Sequence, residues 1–146
     1  MPSLMRRINV ISRCAGIYRE KRFKDIDLSA CHAPYILAIC KNPGISQDKL
    51  ARHICINRSN VTRQLSYLEA HGYVERRQSE EDKRVLMVYP TDKAYEILPF
   101  VKETSREWNS YITEGFSEDE LDQLAEMLER LAKRSREFSE GKGNDE

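Results

Sequence analysis

Apolar residues recur at steps of three and four through most of this chain and give way once, near its centre, to two short β-rich runs. Ile8, Ile11, Ala15 and Tyr18 share one face of a predicted helix over Leu4 to Arg22, and Arg6, Arg7, Arg13, Arg19 and Glu20 decorate the rest. Phe23 to Leu28 reads as a linker. Ser29 offers a capping oxygen to a second helix, whose start Pro34 moves toward Ala33, because proline further inside would remove a hydrogen bond. Tyr35, Ile36, Leu37 and Ile39 are its apolar body, and Asn42-Pro43-Gly44 stops it.

Ser46 caps a short helix, Gln47 to Ile54, with Leu50, Ala51 and Ile54 facing inward. Cys55-Ile56-Asn57 is a tight turn, and Asn57 caps the next helix, Arg58 to His71. On its wheel Val61, Leu65 and Leu68 form the core side, Ser59, Asn60, Arg63 and Ser66 lie opposite, and Arg58 and Thr62 lie at an edge. Gly72 is predicted to end it in the left-handed conformation. Tyr73 to Arg77 and Arg84 to Tyr89 read as strands, joined by the polar loop Gln78 to Lys83. Thr91 opens a long helix with Pro99 inside it, where a kink is expected, and Gly115 ends that helix. Ser117 and Glu120 form an S-x-x-E capping box for the last helix, along which Leu121, Leu124, Ala125, Leu128, Leu131 and Ala132 make a continuous stripe. The tail 139–146, SEGKGNDE, is expected to be disordered. The pattern is thus mainly α with a small β-hairpin.

The 146 residues suit a single domain. Neither terminal helical region has enough core of its own to cover its stripe. Residues 1–28 and 91–138 are therefore expected to serve as dimerisation helices around a core over 29–90, with their apolar faces meeting each other and those of a second copy.

Lys+Arg and Asp+Glu are both 24, a zero balance that argues mildly against a nucleic-acid partner, so local distribution must decide. Arg52, Arg58, Arg63, Arg76, Arg77, Lys83 and Arg84 concentrate in the central stretch. No apolar run approaches the ~20 residues of a bilayer span, and MPSLMRRINV lacks a signal-peptide core, so no membrane partner and a cytoplasmic location are expected. Cys14, Cys31, Cys40 and Cys55 form no CxxC pair and are expected to be free thiols in a reducing compartment. His53 and Cys55 are two apart on a helix and do not face each other, so no metal site is expected. There is no nucleophile–base motif, no pair of catalytic carboxylates and no Gly-rich phosphate loop. No enzyme activity and no cofactor are expected.

Two short helices around a tight turn let the second protrude. Small hydroxyls and Asn reach phosphates, Asn can read adenine, and Arg can read guanine bidentately. The same polar face also describes an ordinary solvated helix surface, and the hairpin tips the balance. Its acidic loop suits a DNA-facing position if Asp82 holds Arg84 by two parallel hydrogen bonds, presetting it for a narrow minor groove. An exposed ion pair of little energy is the alternative.

Residues 45 to 94 resemble the winged helix of the MarR family of bacterial transcription regulators. The resemblance is carried by S-x-V-T-R at Ser59 to Arg63, by L-E-x-x-G-Y-V at Leu68 to Val74, by D-x-R at Asp82 to Arg84, and by F-S-E-D-E-L before the last helix. Ala94 stands where that family often has Gly. The resemblance implies a winged helix-turn-helix flanked by N- and C-terminal dimerisation helices, acting as a homodimer on a pseudo-palindromic double-stranded DNA operator. It implies Ser59, Asn60, Thr62 and Arg63 in the major groove, with Arg58 at the edge of that face. Arg84 would enter the minor groove, braced by Asp82, with Lys83 on phosphate and Ser46 and Gln47 near the backbone. It further implies a repressor released by a small aromatic ligand, for which Tyr18, His32, Tyr35 and Trp108 are candidate pocket residues, with satisfied core or surface positions as their alternative. Cys14 is the candidate for an oxidation-sensing variant, with a packed, inert thiol as its alternative. A winged-helix protein-interaction module without DNA binding is the reading from another class.

Overall fold

The computed structural model describes residues 3–141. Six helices and three short strands follow one another: α1 (Leu4–Arg22), α2 (Ala33–Lys41), β1 (Ile45–Ser46), α3 (Gln47–Ile54), α4 (Arg58–Ala70), β2 (Val74–Gln78), β3 (Leu86–Pro90), α5 (Asp92–Ile112) and α6 (Glu118–Ser139), with a 3-10 turn at Ala30–His32 leading into α2. The chain divides into two compact units, one ending at Trp108 and one beginning at Asn109.

In the first unit the core lies among α2, α3, α4 and the sheet. Tyr35, Ile36 and Ile39 of α2, Leu50 of α3, and Val61, Leu65 and Leu68 of α4 are all at most 1% exposed. These are the positions that helical spacing assigned to the inner faces. Truncating Leu65 or Leu68 to Ala would leave a cavity and cost ~2–5 kcal/mol. Gly72 takes φ +80 beyond α4, as the left-handed stop requires.

The hairpin is one part of a three-stranded antiparallel sheet in the order β1-β3-β2. Ile45 lies opposite Val88 and Ser46 opposite Met87, while β2 and β3 pair from Val74 with Pro90 to Gln78 with Leu86. Two residues are too short to show strand alternation, so β1 is invisible to the pattern. β3 begins at Leu86, so Arg84 sits in the connecting loop rather than in the strand predicted over Arg84 to Tyr89.

Asp27 fastens the linker. It accepts hydrogen bonds from the Tyr73 hydroxyl and from Lys93 Nζ at 2.8 Å, and its backbone oxygen accepts from the Tyr67 hydroxyl at 2.9 Å. Burial pushes its carboxyl upward, yet the Lys93 and Tyr73 bonds hold it below the usual carboxylate range. The linker is thereby tied to α4, to the residue before β2 and to the start of α5.

α5 continues through Pro99 to Ile112. In the second unit Gly115 takes φ +88, and Ser117 and Glu120 complete the capping box at 3.2 and 2.9 Å. α6 runs through Ser139 with Glu140 as its cap, so the first residues of the expected tail are ordered; 142–146 lie outside the described residues. Neither α1 nor α6 buries a single residue.

Candidate nucleic-acid interface

α4 is set on α3 by the turn Cys55-Ile56-Asn57. Cys55 adopts φ 56 and ψ 46, the left-handed conformation that reverses the chain after α3. Asn57 Oδ1 accepts from the Asn60 N–H at 2.8 Å and from the Ser59 hydroxyl at 2.9 Å, so two groups of the first turn are satisfied by one cap. Ser59, Thr62 and Arg63 are exposed, and Asn60 is half-buried. Arg63 makes no hydrogen bond or ion pair with other described residues, which leaves its guanidinium available outward. Arg58 lies 3.3 Å from Asp48, with both side chains well exposed.

Ser46 caps α3 through the Lys49 N–H at 3.2 Å. Gln47, expected near a DNA backbone, spends its amide inside the fold. Its Oε1 accepts from Arg76 at 3.3 Å and its Nε2 donates to the Thr62 hydroxyl at 3.4 Å.

Arg76 is the positioning residue that sequence reasoning missed. From β2 it donates to Gln47 on α3, to Ser66 on α4 at 3.1 Å, and to Glu69 on α4 at 3.1 Å. Glu69 also accepts from the Arg76 backbone N–H at 2.9 Å, and these bonds hold its carboxyl below the usual range. One guanidinium thus joins both helices to the sheet. The available signal was parity: Arg76 shares a strand face with buried Val74, and an arginine there needs partners.

In the loop after β2, Arg84 meets Asp82 through two parallel contacts, Nε to Oδ1 at 3.1 Å and Nη2 to Oδ2 at 3.2 Å. The Arg84 backbone N–H donates to the same carboxylate at 3.1 Å, and these bonds hold Asp82 below its ordinary pKa. The Arg84 side chain remains 91% exposed, so it is oriented without being covered. Lys83 beside it is exposed and has no partner among the described residues. Arg58, Arg76, Arg77 and Arg84 each face a carboxylate, whereas Arg52, Arg63 and Lys83 have no ion pair among the described residues, so the uncompensated basic charge of the central stretch sits on those three.

Tyr18 and His32 are held by different neighbours. The Tyr18 hydroxyl donates to Glu107 at 2.6 Å and its ring lies 5.4 Å from Trp108. Tyr35 is fully buried, with no hydrogen-bond partner for its hydroxyl. His32 is 2% exposed, stacked on Tyr67 and bonded to Gln64. Cys14 is exposed on α1, so one chain does not supply the packing of an inert thiol. No group of three or more His, Cys, Asp or Glu side chains is placed to hold a metal among the described residues. No helix among them is long and apolar enough to cross a membrane.

A protruding helix locked to its supporting helix, with a three-stranded sheet and an arginine-bearing loop attached, defines a winged helix-turn-helix of the transcription-regulator class. The MarR family model matches residues 36–86. The uncharacterised HTH-type transcriptional regulator YybA of Bacillus subtilis is 29% identical over 133 residues, covering 91% of this chain and 89% of that protein. BilQ, an HTH-type transcriptional regulator of Clostridioides difficile, is 30% identical over 112 residues, covering 77% and 76%. A MarR-family regulator of Listeria monocytogenes, solved in complex with 26-mer DNA, superposes with a TM-score of 0.90 at 27% identity over 100% of this chain and 99% of that one. The chain belongs to the MarR family of transcriptional regulators.

Proposed function

We propose that this regulator binds double-stranded DNA as a homodimer, each copy laying α4 in a major groove and its Arg84 loop in the adjacent minor groove of a pseudo-palindromic operator. The observation that carries the reading is the bidentate brace on Arg84: an exposed guanidinium held in one orientation by Asp82 is pre-organised for a narrow groove. Arg63, outward and unpaired, is the guanine-reading candidate on α4; Ser59, Asn60 and Thr62 line the same face, with Arg58 at its edge and Lys83 on phosphate. Ser46 lies at the start of α3 beside the phosphate path, while Gln47 acts there by holding Arg76 and Thr62. The uncovered stripes of α1 and α6 support a second copy as the surface that covers them. A cytoplasmic repressor released by a small aromatic ligand is the regulatory form of this reading. Tyr18, His32 and Tyr35 remain its ligand candidates and Cys14 its oxidation candidate.

The test is a salt titration on duplexes selected from a random pool. Affinity should fall linearly in log–log form with salt, as counterions are released from the phosphates. A protein that stays monomeric, or that binds no duplex at low ionic strength, ends the reading and leaves the winged helix as a protein-interaction module.

A further inference from the structure

A chain of hydrogen bonds runs from the backbone before α2 to the outer face of α4. The Ser29 N–H donates to His32 Nδ1 at 2.9 Å. On the other side of the ring, His32 Nε2 lies 2.8 Å from Gln64 Oε1. Gln64 Nε2 in turn donates to Asn60 Oδ1 at 3.3 Å.

The direction of this chain is dictated from its inner end. A backbone N–H can only donate, so His32 Nδ1 must accept. A neutral imidazole that accepts at Nδ1 carries its proton at Nε2. That N–H needs an acceptor, so Gln64 turns Oε1 toward it and its NH2 toward Asn60. Asn60 must then offer Oδ1 inward, which leaves its own NH2 outward. Three surroundings hold the chain rigid. His32 is 2% exposed and stacks on Tyr67 at 4.7 Å. Tyr67 stacks in turn on His71 at 3.9 Å. Glu20 holds the Ala30 N–H at 2.7 Å, fixing the turn that carries His32. Burial also pulls the His32 pKa below its ordinary value, which favours the neutral ring the chain requires.

We infer that His32 and Gln64 are positioning residues that fix the Asn60 amide with its NH2 outward, so that α4 reads a hydrogen-bond acceptor on a base edge at that position. Guanine O6 and N7, adenine N7 and thymine O4 are such acceptors in the major groove, whereas adenine N6 and cytosine N4 are donors, so cytosine alone offers no acceptor there. This rests on the DNA-binding reading above and deepens it: it assigns a preference for an acceptor-bearing base edge over cytosine, and the buried residues that set it.

The decisive variant is Gln64→Glu. A carboxylate still accepts from His32 Nε2 but has no proton for Asn60. Asn60 would turn its NH2 inward to that carboxylate and present Oδ1 outward, an acceptor where there was a donor. The experiment selects duplexes from a random-sequence pool at pH 8, where His32 is neutral, using the wild type, Asn60→Ala, Gln64→Glu and Gln64→Met. Asn60→Ala should lose preference at one position of each half-site. Gln64→Glu should reverse the preference at that same position toward a donor-bearing base, by on the order of ten-fold. Gln64→Met, which keeps the length but can neither accept nor donate strongly, should flatten it. A general loss of affinity from the added charge does not imitate a reversal at one position. If Gln64→Glu does not fold by circular dichroism, Gln64→Met decides. Retention of the wild-type preference by the folded Gln64 variants, or an Asn60→Ala variant that weakens all sequences alike, overturns the inference. A wild type that selects nothing at all defeats the DNA-binding reading instead.

Discussion

α4 and α6 are both amphipathic, and the structure treats them oppositely. α4 has 13 residues and buries Val61, Leu65 and Leu68, while most of its polar groups other than Arg63 are engaged within the chain: Ser59 and Asn60 by Asn57, Gln64 by His32, Ser66 and Glu69 by Arg76. α6 has 22 residues and buries none, with Leu124, Met127, Leu128 and Leu131 each at least 39% exposed. The first helix is locked by its own chain. The second carries an apolar stripe too extensive for an isolated surface, and its capping box, its backbone bonds and the Ser135 and Ser139 hydroxyls order it without burying any of its residues. The winged helix-turn-helix is therefore complete in one copy, and the helix outside it is not.

Charging the stripe is the strongest way to break that contrast. Leu128→Glu with Leu131→Glu should convert the assembled protein to monomer in sedimentation. DNA affinity should fall by ~100-fold or more, because two linked winged helices gain that much from binding together. Far-UV circular dichroism should still show the helices of the first unit. If the doubly charged protein stays dimeric at micromolar concentration, α6 does not carry the association.

Within the winged helix-turn-helix, Arg63 and Lys83 sharpen the comparison, since both are exposed and unpaired yet differ in geometry. Arg63→Ala should cost ~1–3 kcal/mol of discrimination at the cognate sequence while leaving non-specific binding nearly intact. Lys83→Ala should weaken every duplex alike and reduce the salt slope by about one. Competition assays with cognate and scrambled duplexes check this. Parallel losses for both variants would remove the distinction between base reading and phosphate contact.

Periodicity made most of the winged helix-turn-helix legible. The inner positions of α2, α3 and α4 follow directly from three-and-four spacing, and Gly72 marks the end of α4 because few other residues take φ +80 without cost. Asp82 and Arg84 were legible too, being two residues apart with matching forked groups. β1 was not, since a two-residue strand has no period. Nor were the partners of Arg76 and His32. The bonds of Arg76 to Glu69 and Gln47 and of His32 to Gln64 join residues 7 to 32 positions apart, and only folding brings them within reach. The pocket candidates were chosen for residue type, and Tyr18 and His32 proved to be engaged by different neighbours.

Arg76 tests whether the lock is energetic as well as geometric. Arg76→Ala removes the donor that Gln47, Ser66 and Glu69 share. The cost should be about 1 kcal/mol, because Glu69 is 41% exposed and water replaces part of what is lost. A shift in urea midpoint with unchanged m-value reports it. Loss of sequence preference at low salt should accompany it, since α4 then rests on α3 and the sheet through fewer contacts.

Acid probes the same unit through its titratable groups. His32 is held neutral by burial, so its folded pKa lies below the ordinary ~6.5. Below that value the unfolded chain binds a proton that the folded chain resists. Stability is therefore full above ~6.5 and declines as pH falls from there toward the folded pKa. Asp27 and Glu69, whose pKa values are lowered in the fold, add a second decline below ~4, as pH falls through their folded values. Thermal midpoints across pH should show both, and His32→Asn should flatten the upper one while sparing the lower. An unchanged upper decline would assign it to another group.

The smallest expected effect lies in the turn that joins α3 to α4. Cys55 holds φ 56 and ψ 46, a conformation in which an L side chain crowds its own backbone and glycine does not. Relief of that crowding is worth ~1 kcal/mol, and the greater freedom glycine gives the unfolded chain offsets roughly half of it. Cys55→Gly should therefore raise stability by under ~1 kcal/mol and leave DNA selectivity unchanged, because α3 and α4 keep the same crossing. The competing term is the thiol itself, 3.5 Å from the Arg52 carbonyl oxygen and exposed, a weak contact in water. A stabilised variant would place the strain in the backbone of the turn. A destabilised one would mean that the thiol contact outweighs it, so that even the tightest corner of the winged helix-turn-helix is held by side chains rather than by backbone preference.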